Sequence, residues 1–420
     1  MIVRAAIGHR FPLHSLFTRF SAKLTARRVQ IQATVLLLCT LTLYGIDIAT
    51  PGLRDRVGHL KGPDFLQFYI AGSLANQNRG DALYDPAANV REAVRIVPEA
   101  EGVVYFPFYG PQVSLFFAPF ARLPYGYALL VWTSLSAAIY AACCFGIWRH
   151  CYGLKPHGRA ILLLAIAYPA FFALLTHGQI SALALAWFTL AYLALERGWE
   201  FAAGMSMGLL LFKPQLGFIA AACFLFCRRW KVVAAALISI AVQVAIVWIY
   251  YGLAVIVNYC SMFGQFDKLR PFLDVKLYQN HSLRSFWTLL VPQHLATMLY
   301  ILCAAAFLVI AVLAWRTAAP LSLRYSILLL VTVLVSPHLY VYDLVILAPA
   351  LMLVGDWALQ HSQDELSPEI LTLLYMSFVL PLLGPITRFT HLQLSVIAFA
   401  LLTVVLFRVV SRSAVKEEVI

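Results

Sequence analysis

Charged residues are scarce in this sequence. Only 12% of its 420 residues are Asp, Glu, Lys or Arg, whereas 62% are hydrophobic, and the mean hydropathy is +0.81. A soluble domain does not need so much apolar surface, so this composition excludes that class and predicts an integral membrane protein. Strong alternation of polar and apolar residues is also missing, which argues against a β-barrel. Because the apolar runs have helical lengths, we predict an all-α polytopic membrane fold.

The signatures of several other chemistries are absent too. The sequence has no Gly-rich phosphate loop, no Gly-x-Ser-x-Gly elbow and no His-Glu-x-x-His motif. Its eight cysteines show no disulfide or metal spacing, and the four-residue step from Cys223 to Cys227 is explained most simply by helix packing. Much of the net charge of +12 lies at helix ends, where it indicates topology and lipid contact. We expect no metal, no bound cofactor and no nucleic-acid partner.

Twelve apolar segments are the candidate membrane spans. The basic residues 1–28 precede the first segment, and Pro51 and Gly52 follow it instead of a small-residue cleavage pattern, so we interpret it as a signal anchor. Several segments are shorter than the ~20 residues that cross a bilayer, which indicates broken or tilted half-spans. The segments are 29–49, 125–148, 160–175, 180–195, 201–212, 215–227, 232–254, 294–315, 324–336, 341–355, 369–384 and 392–407.

The basic residues at the helix ends indicate the orientation. If the segments alternate, the tail 1–28, the basic connections and the tail 408–420 all fall on one face, which the positive-inside rule makes cytoplasmic. We therefore predict both termini on the cytoplasmic side of the plasma or inner membrane, flanking a multi-pass domain over 29–407. The connection 356–369 disagrees, since it carries four acidic residues and no Lys or Arg, but acidic residues contribute little to this rule.

The opposite, extracytoplasmic face receives most of the unusual polar residues. It carries two long loops, about 50–124 and 255–293, and three short turns. We expect the first loop to be structured, because Asp64 opens an amphipathic helix that ends near Gly80 and Asp85 starts another short helix. The gathering of polar residues on this one face is the strongest indication of a functional site that the residues alone provide.

Asp64 and Lys213 are the first candidates for chemistry. Asp64 could be no more than an N-cap, with Gln67 completing a box-like arrangement, although a helix N-terminus would also keep the carboxylate ionised and able to act as a base. Lys213 lies within an apolar run and precedes Pro214, where a membrane helix can break. Its ammonium should face protein, water or an anion, or it could snorkel to the interface from a helix end.

Three further groups of polar residues belong to the same face. His177-Gly178-Gln179 forms a tight turn that could be purely structural. His338, after a helix-breaking proline, lies about one helical turn from the intramembrane Asp343, which favours function. Asn280 and Arg284 combine a polar donor with a cation that could pair with phosphate or only with a lipid headgroup. The triplet that begins at Asn280 also matches the N-glycosylation sequon, which is a weak signal.

The order of these motifs resembles glycosyltransferase family 87, the polyprenol-phosphate-mannose-dependent mannosyltransferases of the GT-C superfamily. The resemblance extends from about residue 60 to residue 350, and the sequence departs from it where Tyr109-Gly110-Pro111 replaces the commoner aromatic-Pro-Pro. The matching motifs are Asp64 before a helix, Leu83-Tyr84-Asp85, the aromatic-Pro stretch of residues 105–111, Pro119, Leu123-Pro124, Gly178-Gln179, Lys213-Pro214 and Ser336-Pro337 with the following histidine.

This resemblance implies a GT-C-type bundle of about 12 transmembrane helices and a specific reaction. A sugar would pass from a polyprenyl-phosphate donor to a glycolipid or glycan acceptor on the extracytoplasmic face, without a metal or nucleotide sugar. Asp64 would be the general base of an inverting displacement, and cations would stabilise the leaving phosphate. The donor site is predicted to include Lys213, His338, Gln179, Arg284, Asn280 and Asp343.

Two other classes of function remain open from the sequence. A transporter or flippase of a lipid-linked or anionic substrate would also have broken helices and buried charges, but it would favour polar residues near the midplane and repeat symmetry. A non-catalytic membrane assembly protein would tolerate the loss of Asp64.

Overall fold

The computed structural model describes residues 12–103, 105, 108–264 and 276–417. These residues are almost entirely helical, and the only β pairing among them consists of two isolated bridges. Parts of the predicted tails (1–11 and 418–420), the segment 265–275 of the second loop, and Phe106 and Pro107 of the aromatic-Pro stretch lie outside the described residues. The α-helices are α1 (Pro12–Ser21), α2 (Ala26–Ala49), α3 (Phe65–Asn76), α4 (Pro86–Ile96), α5 (Gln112–Phe117), α6 (Tyr125–Trp148), α7 (Gly158–Ile166), α8 (Pro169–His177), α9 (Ser181–Glu196), α10 (Glu200–Gly208), α11 (Pro214–Phe226), α12 (Trp230–Tyr251), α13 (Leu253–Phe263), α14 (Leu283–Leu290), α15 (Gln293–Trp315), α16 (Leu321–Val335), α17 (Ala348–Gln360), α18 (Ser367–Val379), α19 (Gly384–Thr390) and α20 (Leu394–Glu417).

Eight helical segments of the described chain are long and apolar enough to cross a membrane, so the protein is a multi-pass membrane protein. They are Ala26–Ala49, Tyr125–Trp148, Lys155–His177, Trp230–Tyr251, Gln293–Trp315, Val341–Gln360, Ser367–Thr390 and Leu394–Arg412. The other four predicted segments coincide with α9, α10, α11 and α16, which are too short to qualify. The total of about 12 spans therefore stays a prediction.

Prolines divide several spans at the places that matter for the site. Pro169 begins α8 and separates it from α7. Pro214 begins α11 directly after Lys213, and the residues before Lys213 form a 3-10 helix, Leu209–Phe212. Proline lacks the N–H that would continue the preceding helix, but it fits well in a first helical turn. The predicted break at Lys213 is therefore present.

The first long loop folds onto the ends of the spans through α3, α4 and α5. Nine of the twelve residues of α3 are buried, so the prediction of an amphipathic helix here was wrong: α3 is covered on nearly every side, and it ends at Asn76. A side chain at Gly72 would come within 2.5 Å of the Phe117 carbonyl oxygen, which shows how closely α3 and α5 pack. The predicted cap at Asp85 is confirmed, because its carboxylate accepts a hydrogen bond from Ala87 N–H at 2.9 Å.

Helix α16 lies in the core of the described bundle. Twelve of its fifteen residues are buried, as expected for a helix that is apolar around its whole circumference. Its C-terminal end leads into the segment Ser336–Tyr340 and then into a 3-10 helix, Val341–Leu347. This connection brings the residues that precede α17 into the interior of the protein.

Candidate active site

Asp64 lies at the start of α3 and contacts the turn that follows α8. Its N–H donates to the His177 carbonyl oxygen at 3.1 Å, and its carboxylate accepts a hydrogen bond from Gln179 Nε2 at 3.2 Å. The interpretation of Asp64 as an N-cap is wrong, since its side chain makes no capping hydrogen bond and its backbone is already helical (φ −79°, ψ −20°). The carboxylate is thus directed toward other parts of the chain and not toward its own helix.

The turn at residues 177–179 has a geometry that glycine alone adopts without strain. Gly178 has φ +65° and ends α8 in the left-handed conformation. A Cβ at this position would lie 2.7 Å from the Phe65 Cβ, so the turn and the start of α3 are in close contact. Trp132 Nε1 donates to the Gly178 carbonyl oxygen at 3.0 Å. The turn is therefore fixed in position beside Asp64.

Gln179 is oriented by two donors. Its Oε1 accepts from Ile180 N–H at 2.8 Å and from the Tyr109 hydroxyl at 3.2 Å, which leaves Nε2 to donate to Asp64. The side chain is only 2% exposed, so this arrangement is protected from solvent. Because Oε1 is occupied by these two donors, the amide group of Gln179 is oriented so that its Nε2 donates to the Asp64 carboxylate.

The surroundings of Asp64 change its acidity in two opposing ways. Partial burial raises the pKa of its carboxyl group, and this is the largest effect; the charge of His177, hydrogen bonds from Gln179 and Tyr342, and the charge of Lys213 lower the pKa. The net shift is upward, because removing a carboxylate from water costs more than these contacts return. A carboxylate in this setting is a stronger base than one in water.

Lys213 is buried and paired. Its side chain is 4% exposed and forms a salt bridge with Asp343, which is 1% exposed. The snorkelling interpretation is therefore wrong, since the ammonium points into the protein. The Asp343 carboxylate also accepts hydrogen bonds from the Ser181 hydroxyl and from Tyr340 N–H at 3.3 Å. The buried charges thus satisfy each other, as buried ion pairs require.

Tyr342 joins the Asp64 contacts to the Lys213 pair. Its ring centroid lies 5.6 Å from Lys213 Nζ and 5.6 Å from the ring of His177. Its hydroxyl is also among the groups that lower the pKa of the Asp64 carboxyl. The residues predicted on four separate connections, Asp64, Gln179, Lys213 and Asp343, therefore form one cluster around this tyrosine.

His338, Arg284 and Asn280 lie beside this cluster and are linked to it by the backbone. The His338 ring contacts Tyr340 edge-on at 4.8 Å between centroids. Arg284 Nη1 donates to the Pro337 carbonyl oxygen at 3.0 Å, and the Asn280 side chain accepts from Leu339 N–H at 2.8 Å. The second loop therefore supports the segment that leads into Asp343.

Asn280 is fully buried, which decides the question of the sequon. It is 0% exposed and forms an isolated bridge with Tyr340. A glycan cannot be attached to a buried side chain in the folded protein, so the possible sequon has no role in this structure. Its contacts hold backbone in place, whereas its predicted role in donor binding stays a prediction.

Three residues of the cluster were not predicted from the sequence as site residues: Tyr109, Tyr342 and Ser181. Tyr109 belongs to the aromatic-Pro stretch of residues 105–111, which entered only as a matching motif, and Tyr342 is one of two tyrosines close to His338. Ser181 follows the 177–179 turn by two residues. The position of Tyr342 between His338 and Asp343, two predicted site residues, was a signal that could have identified it. Nothing in the local sequence distinguishes Ser181.

Comparison with known proteins identifies one family. The family model of glycosyltransferase family 87 matches residues 106–337, which is more than half of the chain and includes Gln179, Lys213 and Arg284. No curated protein and no solved structure matches the chain. Among the described residues, no group of three His, Cys, Asp or Glu side chains could hold a metal ion.

Proposed function

The chain belongs to glycosyltransferase family 87, and on that premise we propose that it transfers a hexose, specifically mannose, from a polyprenyl-phosphate donor to an acceptor hydroxyl. The acceptor in this proposal is a glycolipid or glycan. The observation that carries it is the single cluster in which a basic carboxylate, Asp64, and a buried cation, Lys213, flank Tyr342. Group transfer from a phosphate ester needs both a base and a cation close together.

Asp64 is the general base in this proposal. It takes the proton from the acceptor hydroxyl while the hydroxyl oxygen attacks the anomeric carbon, and the bond from that carbon to the phosphate oxygen breaks. One displacement of this kind inverts the configuration and needs one carboxylate. The raised pKa of Asp64 supports this role, because a general base works best when its pKa lies closer to the operating pH.

Lys213 stabilises the departing polyprenyl phosphate in this proposal. The phosphate must compete with Asp343 for the ammonium, and the structure offers a way for this to happen. Asp343 keeps the Ser181 hydroxyl and Tyr340 N–H as hydrogen-bond donors. Lys213 can therefore turn toward the phosphate while the Asp343 carboxylate remains hydrogen-bonded. We therefore assign Asp343 the task of holding Lys213 ready, in addition to its predicted place in the donor site.

The remaining predicted residues complete the donor site. Arg284, which donates to the Pro337 carbonyl oxygen, and His338, which follows Pro337, supply further positive charge or donors for the phosphate, since one lysine paired with a carboxylate adds no net charge. Gln179 and Asn280 orient sugar hydroxyls or the backbone around them. In this proposal the polyprenyl tail extends into the surrounding lipid, which is consistent with a membrane enzyme.

We place this chemistry on the extracytoplasmic face, with both termini cytoplasmic. The basic connections support this orientation through the positive-inside rule. The cluster lies where several spans end or begin, at His177, Lys213 and Val341. A transporter would gather such residues near the midplane instead.

The first test is sugar transfer from polyprenyl-phosphate mannose into a membrane extract by wild type and by Asp64→Asn. The substitution preserves size but removes the base, so we expect transfer to fall by ~100-fold or more. Asp85→Asn is the matched control, because it changes a carboxylate in the same loop that caps α4, and asparagine caps equally well.

The outcomes separate the possible functions. Loss of transfer in Asp64→Asn alone supports the proposal. Equal transfer by all three proteins would move the base elsewhere and refute the role of Asp64. Absence of transfer by wild type with every lipid-linked sugar tested would refute the proposed reaction and favour the transporter.

A further inference from the structure

A cavity separate from the Asp64 cluster lies among the membrane-spanning helices, between Tyr168 at one end and Leu24 at the other. It has a volume of about 270 Å³ and is lined almost entirely by apolar side chains from α2, α6, α7, α17 and α18. Leu24 and Ala26, at the start of the first span, line one end of it. Because that span runs from Ala26 to Ala49 and continues toward Asp64, this end of the cavity belongs to the opposite face of the protein.

The depth of the cavity matches one leaflet of a bilayer. Both Ala348 and Leu359 line it, and they lie on one continuous helix, α17. At a rise of 1.5 Å per residue they are ~16 Å apart along the helix axis. Half of a bilayer's hydrocarbon core is ~15 Å thick. The cavity therefore has the length of a lipid acyl chain inserted from one face.

The inner end of the cavity is closed toward the Asp64 cluster. Tyr168 donates a hydrogen bond to the Leu344 carbonyl oxygen at 2.8 Å, and its ring lies 5.6 Å from that of Phe378; both aromatic residues line the cavity. Beyond them, Leu344 and Leu347 are 0% exposed. This packed layer separates the two sites, so a sugar donor at Asp64 has no direct path through the core into the cavity.

The outer end of the cavity is surrounded by more basic than acidic residues. His157 lines the cavity there, and the neighbouring basic residues are exposed. The opposing acidic residues lie near the end of α17, in the connection after it and in the first turn of α18. The basic residues are Lys23, Arg27, Arg28, Lys155 and Arg159, and the acidic residues are Asp356, Asp364, Glu365 and Glu369. The net charge of these residues is positive, which favours binding of an anionic lipid headgroup.

We propose that this cavity is a binding site for one acyl chain of an anionic phospholipid, with the phosphate against the basic residues next to Leu24 and His157. An acyl chain that fills an apolar cavity gains van der Waals contacts with the side chains that line it. The basic residues select a negatively charged headgroup. This site is separate from the proposed sugar transfer and does not depend on it.

Gly355 offers a direct way to fill the cavity. It lines the cavity, and a Cβ added there would meet Leu154 and Leu374 at ordinary contact distances of 3.8 and 3.9 Å. Gly355→Phe can therefore occupy the space of the acyl chain without a backbone clash. The matched control is Gly45→Phe, because Gly45 lies in α2 with nothing within 4 Å of its Cβ direction and does not line the cavity.

The experiment measures phospholipid binding to the purified, delipidated full-length chain by native mass spectrometry. Wild type and Gly45→Phe should bind phosphatidylglycerol more tightly than phosphatidylcholine. Gly355→Phe should bind it ~10-fold more weakly or worse, since loss of about two buried methylene groups suffices for that change. Glycerol phosphate, which has the headgroup chemistry without a chain, should not compete.

A second pair of variants tests the headgroup. Lys155→Gln combined with Arg159→Gln should lower the preference for phosphatidylglycerol by roughly fivefold for each charge removed. Arg408→Gln combined with Arg412→Gln is the control, since neither these residues nor their immediate sequence neighbours line the cavity, whereas Lys155 and Arg159 adjoin the lining residues Leu154 and Ala160; the control should leave the preference unchanged.

Three results would overturn the proposal. One is equal binding of the charged and neutral phospholipids by wild type. Another is unchanged binding of phosphatidylglycerol by Gly355→Phe. The third is a loss of polyprenyl phosphate binding in Gly355→Phe while phospholipid binding persists, because the occupant would then be the tail of a sugar donor.

Discussion

The pairing of Lys213 with Asp343 gives a prediction whose magnitude follows from the burial of both charges. Their side chains are 4% and 1% exposed, so neither charge can be solvated if its partner is removed. Breaking a buried ion pair by deleting one member costs about 3–5 kcal/mol of unfolding free energy. We expect both single variants, Lys213→Met and Asp343→Leu, to fall in this range.

The two single variants should not be equal. After Lys213→Met the Asp343 carboxylate still accepts from Ser181 and from Tyr340 N–H, so the loss should be near 3 kcal/mol, the lower end of the range. After Asp343→Leu the Lys213 ammonium loses its hydrogen-bond acceptor among the described residues. The Ser181 hydroxyl and Tyr340 N–H lose the same acceptor. That loss should be near the upper end, about 5 kcal/mol.

The double variant completes the test. Lys213→Met combined with Asp343→Leu removes both charges and fills the space with apolar groups, and such replacements are often close to neutral. We therefore expect the double variant to be more stable than either single variant, with a coupling free energy of about 5 kcal/mol or more. The measurement is unfolding in mixed micelles at increasing dodecyl sulfate, followed by circular dichroism.

A surface pair of the same chain provides the control. Arg229 and Glu200 lie 2.8 Å apart with 45% and 24% of their side chains exposed. Exposed pairs contribute about 0–1 kcal/mol, so Arg229→Met should change stability little. If Lys213→Met also costs less than ~1 kcal/mol, the reasoning from burial is refuted and the Lys213 charge must be solvated.

Three further predictions concern pH and backbone geometry. The Arg95 guanidinium, with help from other donors, lowers the pKa of the Glu92 carboxyl from its ordinary 4.5 to about 2, so the stability lost in Glu92→Gln should be constant above pH ~5 and shrink as the pH falls toward 2; a loss that does not depend on pH would contradict this. A hydrogen bond from Gln179 lowers the pKa of Asp64, so Gln179→Met should raise that pKa and shift the acidic limb of the transfer rate to higher pH, and an unshifted limb would argue against Asp64 as the base. Gly178→Ala should destabilise the protein by ~1–3 kcal/mol more than Gly198→Ala, because both have positive φ but only Gly178 lacks room for a Cβ; equal losses in thermal unfolding would show that the turn can move.

Some features of this protein were determined by local sequence. The scarcity of charge and the lengths of the apolar runs were enough to identify a multi-pass helical membrane protein, because the bilayer imposes that composition on any chain that crosses it. Pro214 was enough to predict the break beside Lys213, since a proline cannot continue the preceding helix. The order of motifs was enough to indicate glycosyltransferase family 87, which the family model supports.

Only the tertiary structure decided which polar residues meet. Lys213 and Asp343 are 130 positions apart, and no periodicity or propensity links residues at that separation. The same applies to Asp64, whose short spacing to Gln67 suggested a cap, whereas its carboxylate contacts Gln179, 115 positions away. A cap is a local contact that sequence spacing can predict, but a buried carboxylate takes whichever donors the packed helices bring to it. Segments that are far apart in the sequence are brought together by packing contacts such as that of Gly178 with Phe65. This is the physical reason that the complete site could not be predicted from the sequence.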